Sequence, residues 1–577
     1  MAVLQLAPIT LVIAGFLIVP LMLAFWESID GLELNFDRYL RVISEPIYLD
    51  VLVRSLEIGF ITTVICVSLS YPIAYFMTTM GRRGIAVFSI FLLVPLFTAF
   101  LIRTYGWIII LGRRGVLNTL LMEAGIIEAP LRILGTSVAV YIGLVHVLTP
   151  VAVFVMFANM VQLDRTLLKA SQVLGAHPVR AFVRVYFPMS MPAIVSASVL
   201  IFIIAISFYI TPVLLGGPGD TMISQLVVTQ VTTLLDFKTG YAIAILLLLV
   251  TIATIALSNL FVPIEQMWAV KGSVRSRKSL GILDRLPGRI WARVAFDRVL
   301  STLETGLYAA FRRPKWLVAS ALRLFAVLFI LFLIAPLLII YILSFNASPF
   351  LVFPPPGYSM RWYAEFFHDP DWRTALIQSG RIAIIVATIS VVIGVSAAFA
   401  IVRSNMPAKR ALFLFFLTPL LVPVIVLAIS LYISIGSINL IGSLPGLVIG
   451  HLVFSVPYAV IVLVGAIRNL DRNLEHAAST LGGPPILVYR KIVFPILLPA
   501  ILTAWLLSFL QSFDELLVTL FLLGRQTPTL PIKMWNNIQV ELDPTMSAAS
   551  SIIVTTVALI IVVSQARILF SRQKREE

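Results

Sequence analysis

Charge is scarce in this chain of 577 residues: Asp, Glu, Lys and Arg together make up 12% of it, against about 25% in soluble globular domains. Hydrophobic residues reach 60% and mean hydropathy is +1.03. Such a chain lacks the polar surface to be wetted in water, so a bilayer is its solvent. There is a single cysteine, Cys66, which excludes an internal disulfide and a cysteine-based metal cluster. It falls in an apolar run and is expected to be a packing residue. Five histidines are scattered singly. The phosphate-cradling pattern G-x-x-x-x-G-K-[ST] is missing, as are HExxH and triad-like spacings. The glycine-rich GGPGDT at 216–221 has no lysine and no following helix pattern, so it is expected to be an external turn. Neither a catalytic centre nor a resident cofactor can be assembled from these residues.

Long apolar runs are what remain. A helix needs about 20 mostly apolar residues to cross a bilayer, and twelve candidates stand out. They centre on 6–26, 54–79, 85–110, 137–160, 193–213 and 241–262, then on 317–343, 376–402, 411–434, 447–467, 498–522 and 546–568. Continuous rather than alternating apolarity predicts helices and not a barrel. The first run has no basic n-region and no small-residue cleavage site, so it is expected to stay as a span. The fold class is therefore an all-α polytopic membrane protein of about twelve helices in two sets of six. Residues 1–262 form a first transmembrane domain and 317–577 a second. Between them, 263–316 holds eleven Lys or Arg and four Asp or Glu. It is expected to be a basic cytoplasmic linker with a surface helix around Trp291 to Leu307.

The net charge of +15 does not point to nucleic acid, because most Lys and Arg lie in short breaks between apolar runs. There they act as topology determinants. Placing the linker, the breaks at 169–192 and 476–499, the 80–84 and 403–410 turns and the C-terminal tail inside puts both termini in the cytoplasm, with Arg113 and Arg114 as exceptions.

Two of the breaks repeat each other. KASQVLGAHPVRAFVRVYFPMSMP (169–192) and HAASTLGGPPILVYRKIVFPILLP (476–499) align with Gly175 on Gly482, 307 positions apart. Ala170 then falls on Ala477, Leu174 on Leu481, Pro188 on Pro495 and Pro192 on Pro499. One structural unit used twice explains this register. Each copy is expected to be a short helix, a glycine stop and a second short helix entering the next span through proline. A loop between spans needs few residues, so two long ordered ones imply a docking element.

This pattern resembles the EAA motif of ABC importer permeases, in which EAA is followed by three residues, glycine, nine residues, a hydrophobic residue and proline. Both copies stand between the fourth and fifth spans, where that family places them. Lys169 and His476 occupy the place of the motif's Glu, with Glu475 beside the latter, and Ser171 replaces one Ala. The resemblance makes Lys169, Ala170, Ser171 and Gly175, and His476, Ala477, Ala478 and Gly482, the ATPase-coupling residues. LIRTYGWIIILGRRGVLN (102–119) and TPVLLGGPGDTMIS (211–224) resemble one subunit of a polyamine-type (spermidine/putrescine) permease pair. SFNASPFLVFPPPGYSMRWYAEFF (344–367) resembles the start of its partner. The resemblance implies two type I permeases fused in one chain of a bacterial inner membrane. It also implies two ABC ATPase subunits that hold the ATP and magnesium, and a periplasmic or lipid-anchored binding protein. The substrate it implies is a polyamine or related organic cation. Opines or amino-acid derivatives, ferric iron and thiamine are alternatives, and an ATP-independent secondary transporter is the alternative class.

Ionisable groups inside spans are functional candidates. Asp514 and Glu515, in LQSFDELLVTLF, are the clearest pair, read either as the attraction for a cation or as a water-exposed span end. Tyr209 stands where the family often has an acid. Tyr105 and Trp107 are candidates for stacking or for interfacial anchoring, and Glu57 and Arg103 are lesser ones.

Overall fold

The computed structural model describes residues 2–259 and 315–576, except 408, 525–527 and 541–542, together with 298, 300–302, 304–306 and 308. Most of the expected linker, and of its surface helix, lies outside the described residues. Among the described residues the architecture is all-helical, with one isolated antiparallel bridge between Asn346 and Tyr358. Ten helices among the described residues are long and apolar enough to span a membrane, or eleven if one bent pair counts as a span.

That bent pair corrects the twelve straight spans. The run expected over 85–110 is Arg82–Phe97 followed by Phe100–Glu123, turned by 91°. Pro95 and the extended Thr98 and Ala99 end the first piece. Its counterpart, expected over 411–434, is likewise split into Lys409–Phe416, a short turn at Thr418–Leu420 and Val424–Ser437. Pro419 and Pro423 sit in that gap. Hydropathy cannot register such breaks, because the residues stay apolar while the backbone turns.

The duplication holds element by element. Asp37–Ser44 and Pro46–Thr79 recur as Arg361–His368 and Pro370–Arg403, 324 positions on. Beyond the Val116–Glu123 helix, which has no counterpart, the shift is 307. Pro178–Ile206 recurs as Pro485–Phe513, and Ile210–Leu215 as Leu517–Leu522. Contacts recur with the elements. Ser55 accepts a bond from the Ile223 amide at 2.8 Å, and its counterpart Ser379 accepts one from Leu530 at 2.7 Å. Gly143 lies where a Cβ would meet Leu215 and Thr211 at 2.5 Å; Gly450 faces Leu522 and Val518 at 2.6 and 2.9 Å. Two helices cross too closely there for any side chain larger than hydrogen.

The halves are interleaved. The Leu4–Ser28 span packs on the second half, against Pro370–Arg403 and Val424–Ser437. The Lys315–Ser344 span packs on the first half, against Arg82–Phe97 and Phe100–Leu111. Tyr105 donates to or accepts from Ser547 at 2.9 Å, and Phe237 stacks on Tyr432 with centroids 5.5 Å apart. Cys66 is buried, as expected of a packing residue.

Candidate docking surface and translocation cavity

The two repeated breaks form matching helical hairpins at one end of the bundle. Each begins on an aspartate cap: Asp164 accepts from the Thr166 amide and Asp471 from the Asn473 amide, both at 2.9 Å. The Thr166 bonds hold the Asp164 carboxyl below its usual range. The leading helices of the hairpins, Thr166–Val173 and Arg472–Thr480, stop at Gly175 and Gly482, with φ of +89° and +83°. A π-turn then leads into the next span at Phe182–Tyr186 and at Tyr489–Val493.

Lys169, Ala170, His476 and Ala477 are exposed on these helices, while Ser171 and Ala478 are half-buried against the bundle. Leu167 and Leu174 in one copy, and Leu474 and Leu481 in the other, form exposed apolar pairs two helical turns apart. Leu174 and Leu481 are 87% and 89% exposed at the hairpin tips. Glu475 is not available to a partner as a free charge, because it pairs with Arg403 at 2.5 Å.

Sequence comparison of the repeats missed two anchors. Arg165 donates to the Thr78 carbonyl and hydroxyl at 2.6 and 2.7 Å. Arg472 donates to the Val402 and Arg403 carbonyls at 3.2 and 3.3 Å. Thr78 and Val402 are themselves counterparts, so each hairpin is tied to the end of the same long span. The shared Leu-Asp-Arg at 163–165 and 470–472, in register with Gly175 and Gly482, was the available signal.

The second site is a cavity of about 190 Å³ between the halves. Four helix breaks meet on its wall: Phe100 at the bend of the split third span, Ser207 to Ile210, Pro419 to Val424, and Asp514 to Leu517. Backbone freed from helical pairing is tolerated at membrane depth where it lines such a space. Ile204, Phe454, Tyr458 and Gln511 complete the lining.

Asp514 and Glu515 both line this cavity, the first half-buried at the end of the Phe494–Phe513 helix and the second buried. An Asp514 carboxylate oxygen accepts from the Phe100 amide at 3.4 Å, reaching across the halves to the first residue of the Phe100–Leu111 helix. Glu515 accepts from the Val518 amide at 3.0 Å and caps Leu517–Leu522. Arg103 is fully buried behind the wall. It donates to the Val147 carbonyl at 3.1 Å and lies over the Phe100 ring, and its charge reaches Asp514. Its Nε and Nη2 have no acceptor among the described residues.

Tyr209 lines the cavity, with its ring 5.5 Å from that of Trp535. The acid's counterpart in the first half is nevertheless Ser207, not Tyr209. Ser207 and Asp514 both end the long helix, whereas Tyr209 and Leu516 both start the short one. Tyr105 and Trp107 are not on this wall. Tyr105 is buried on Ser547, and Trp107 packs on His146 and Phe332. Glu57 is an exposed partner of Arg54 at 3.0 Å, away from the cavity.

Residues 390–575 match the family described as binding-protein-dependent transport system inner membrane component. The spermidine/putrescine transport system permease protein PotB of Escherichia coli K12 is 35% identical over 214 residues, covering 37% of this chain and 78% of PotB. This chain belongs to the binding-protein-dependent ABC importer permeases. The putrescine transport system permease protein PotI of the same strain is 32% identical over 236 residues, 40% of this permease and 84% of PotI. A solved chain of a bacterial ABC transporter involved in import of the acidic polysaccharide alginate covers 44% of the permease and 96% of itself. Its TM-score is 0.34 at 16% identity, too distant to bear on the argument. The permease is a multi-pass membrane transport component and not an enzyme. Its family works with ATPase and binding-protein partners.

Proposed function

We propose that this permease imports a polyamine or a closely related organic cation, and that one chain supplies both halves of the pathway. The observation that carries the reading is the pair Asp514 and Glu515 on a cavity walled by both halves, in a chain whose relatives are named for spermidine and putrescine. Each carboxylate has a backbone partner that fixes its place and lone pairs left over for an ammonium group. A negative charge at membrane depth lowers the cost of bringing a cation there. The five aromatic rings of Phe100, Phe208, Tyr209, Phe454 and Tyr458 offer π-faces to the same cation.

In this reading residues 1–262 and 317–577 are the two permease domains and 263–316 is the cytoplasmic linker, with both termini on the cytoplasmic side. Two ATPase subunits, holding ATP and magnesium, take the tips at Leu174 and Leu481. A binding protein delivers substrate from the opposite face. The exposed leucine pairs support this arrangement: burying each such side chain is worth about 1.5–3 kcal/mol, and the apolar tips are otherwise left in water. ATP-driven closure of the ATPase pair biases one of two states of the bundle, and the anchors Arg165 and Arg472 pass that bias to the long spans.

The test is uptake of radiolabelled spermidine and putrescine by the permease reconstituted with its ATPase and binding protein, with thiamine, ferric iron and an opine as competitors. Uptake is expected to be inhibited by polyamines alone. It should fall at least about tenfold, roughly 1.4 kcal/mol, in the double variant Asp514→Asn with Glu515→Gln. Saturable uptake of one of the other competitors, with no polyamine uptake, would replace the substrate while leaving the permease reading intact.

A further inference from the structure

The two hairpins differ in what covers their flanks. In the first, Val179 is 1% exposed and Val183 is buried with it, because Leu300 of the connecting segment, itself 3% exposed, packs against both. Glu304 lies between Arg184, at 3.1 Å, and Arg180, at 3.7 Å. The Tyr308 ring stands 4.8 Å from that of His177, two residues past the tip glycine. Leu300, Glu304 and Tyr308 are spaced by four, and every described residue from 298 to 308 is helical, so the three share one face. In the second hairpin the counterpart of Val179 is Ile486, which is 83% exposed. The counterparts of Arg180, Val183 and Arg184 are Leu487, Arg490 and Lys491, so one of the two cations is replaced by leucine and an arginine interrupts the apolar seat for such a helix.

We infer that the first docking site is composite: the Leu300–Glu304–Tyr308 face of the connecting segment forms one wall of the surface that an ATPase subunit grips, and among the described residues the second site has no such wall. This rests on the docking reading above. Tyr308 is half-exposed beside the tip that carries Leu174, so a subunit closing on the Leu167–Leu174 stripe meets it. Leu300 seats the helix; the arginine pairs fix its register, since exposed ion pairs add little affinity alone. The two ATPase subunits, even if identical in sequence, then face unequal sites.

Cross-linking can decide this, because the one native cysteine, Cys66, is buried. The complete complex would carry Leu174→Cys, Leu481→Cys or Tyr308→Cys, labelled with a maleimide–benzophenone, which on illumination inserts into C–H bonds of whatever protein lies against it. Cross-links to the ATPase are expected from all three, at one ATPase per permease for each. Leu300→Asp should remove the Tyr308→Cys product and leave that of Leu481→Cys. Glu304→Arg is expected to lower substrate moved per ATP about fivefold, and exchange of charges with Arg180→Glu and Arg184→Glu to restore it. Cross-links from the tips with none from Tyr308→Cys, or a Glu304→Arg variant with unchanged coupling, would overturn the composite site and spare the docking reading. Absence of cross-links from all three positions would sink both.

Discussion

At the scale of single residues, Asp514 illustrates how an acid is held where the two halves meet. It holds the amide of Phe100 from the other half, it lies near the positive Arg103, and it faces a cavity. The positive Arg103 offsets part of that carboxylate's pull on an arriving cation. Arg103→Gln is therefore expected to lower the apparent KM for spermidine severalfold if it folds, and Asp514→Asn to raise it about tenfold; initial uptake rates against substrate concentration give both. Gly450 belongs to the same scale. A Cβ there would stand 2.6 Å from Leu522 and 2.9 Å from Val518. Gly450→Leu overpacks that crossing, which typically costs about 1–3 kcal/mol. A melting temperature of the detergent-solubilised chain equal to that of the parent would refute the close packing.

At the scale of elements, the hairpins carry the argument. Gly482 has φ of +83° with open space around it, so a side chain there is opposed by backbone strain and not by crowding. Gly482→Val is expected to distort the tip and separate ATP hydrolysis from transport, whereas Gly482→Asn, which tolerates that conformation, should keep most coupling. Equal loss in both variants would assign the glycine to something other than its backbone. Arg165→Ala and Arg472→Ala remove the anchors and are expected to reduce transport severalfold with ATPase binding retained, read by pull-down of the ATPase on the same preparations. The hairpins, their glycine stops and their position were legible in the sequence because two copies held one register. The anchors were legible in principle, through Leu-Asp-Arg. The broken third spans were not, since Thr98–Ala99 and Leu417–Pro423 lie inside apolar runs whose mean hydropathy is unaffected by a turn. For the same reason the cavity could not be located beforehand. Its wall is made of those breaks, and Asp514 could be read equally as a span end.

For the whole molecule, the interleaved first spans mean that neither half presents a finished surface by itself. Asp30, just past the end of the Leu4–Ser28 span, reinforces this end of the first half by holding Arg38 at 2.5 Å and Lys238 at 2.7 Å. Those two hydrogen-bonded cations draw its carboxyl down to about 2. A depressed carboxylate stabilises at any pH above its ordinary value near 4, and the contribution is lost as the pH falls through about 2. Changing the pH between 5 and 8 should therefore leave this clamp intact. A thermal stability difference between the parent and Asp30→Asn that varies across that range would show that another group governs it.

The 324-position and 307-position registers are joined in one polypeptide, and that has a consequence for how the pathway can evolve. In a pair of separate subunits, two copies of the same subunit can meet, so each must be safe when matched with itself. Covalent joining removes that encounter, and raises the local concentration of each half for the other. Selection can then act on the two copies as different parts. An acid stands at Asp514 and a hydroxyl at Ser207, a buried valine at Val179 and an exposed isoleucine at Ile486. Such a chain is free to become a directional, lopsided machine while keeping the outline of a symmetrical one.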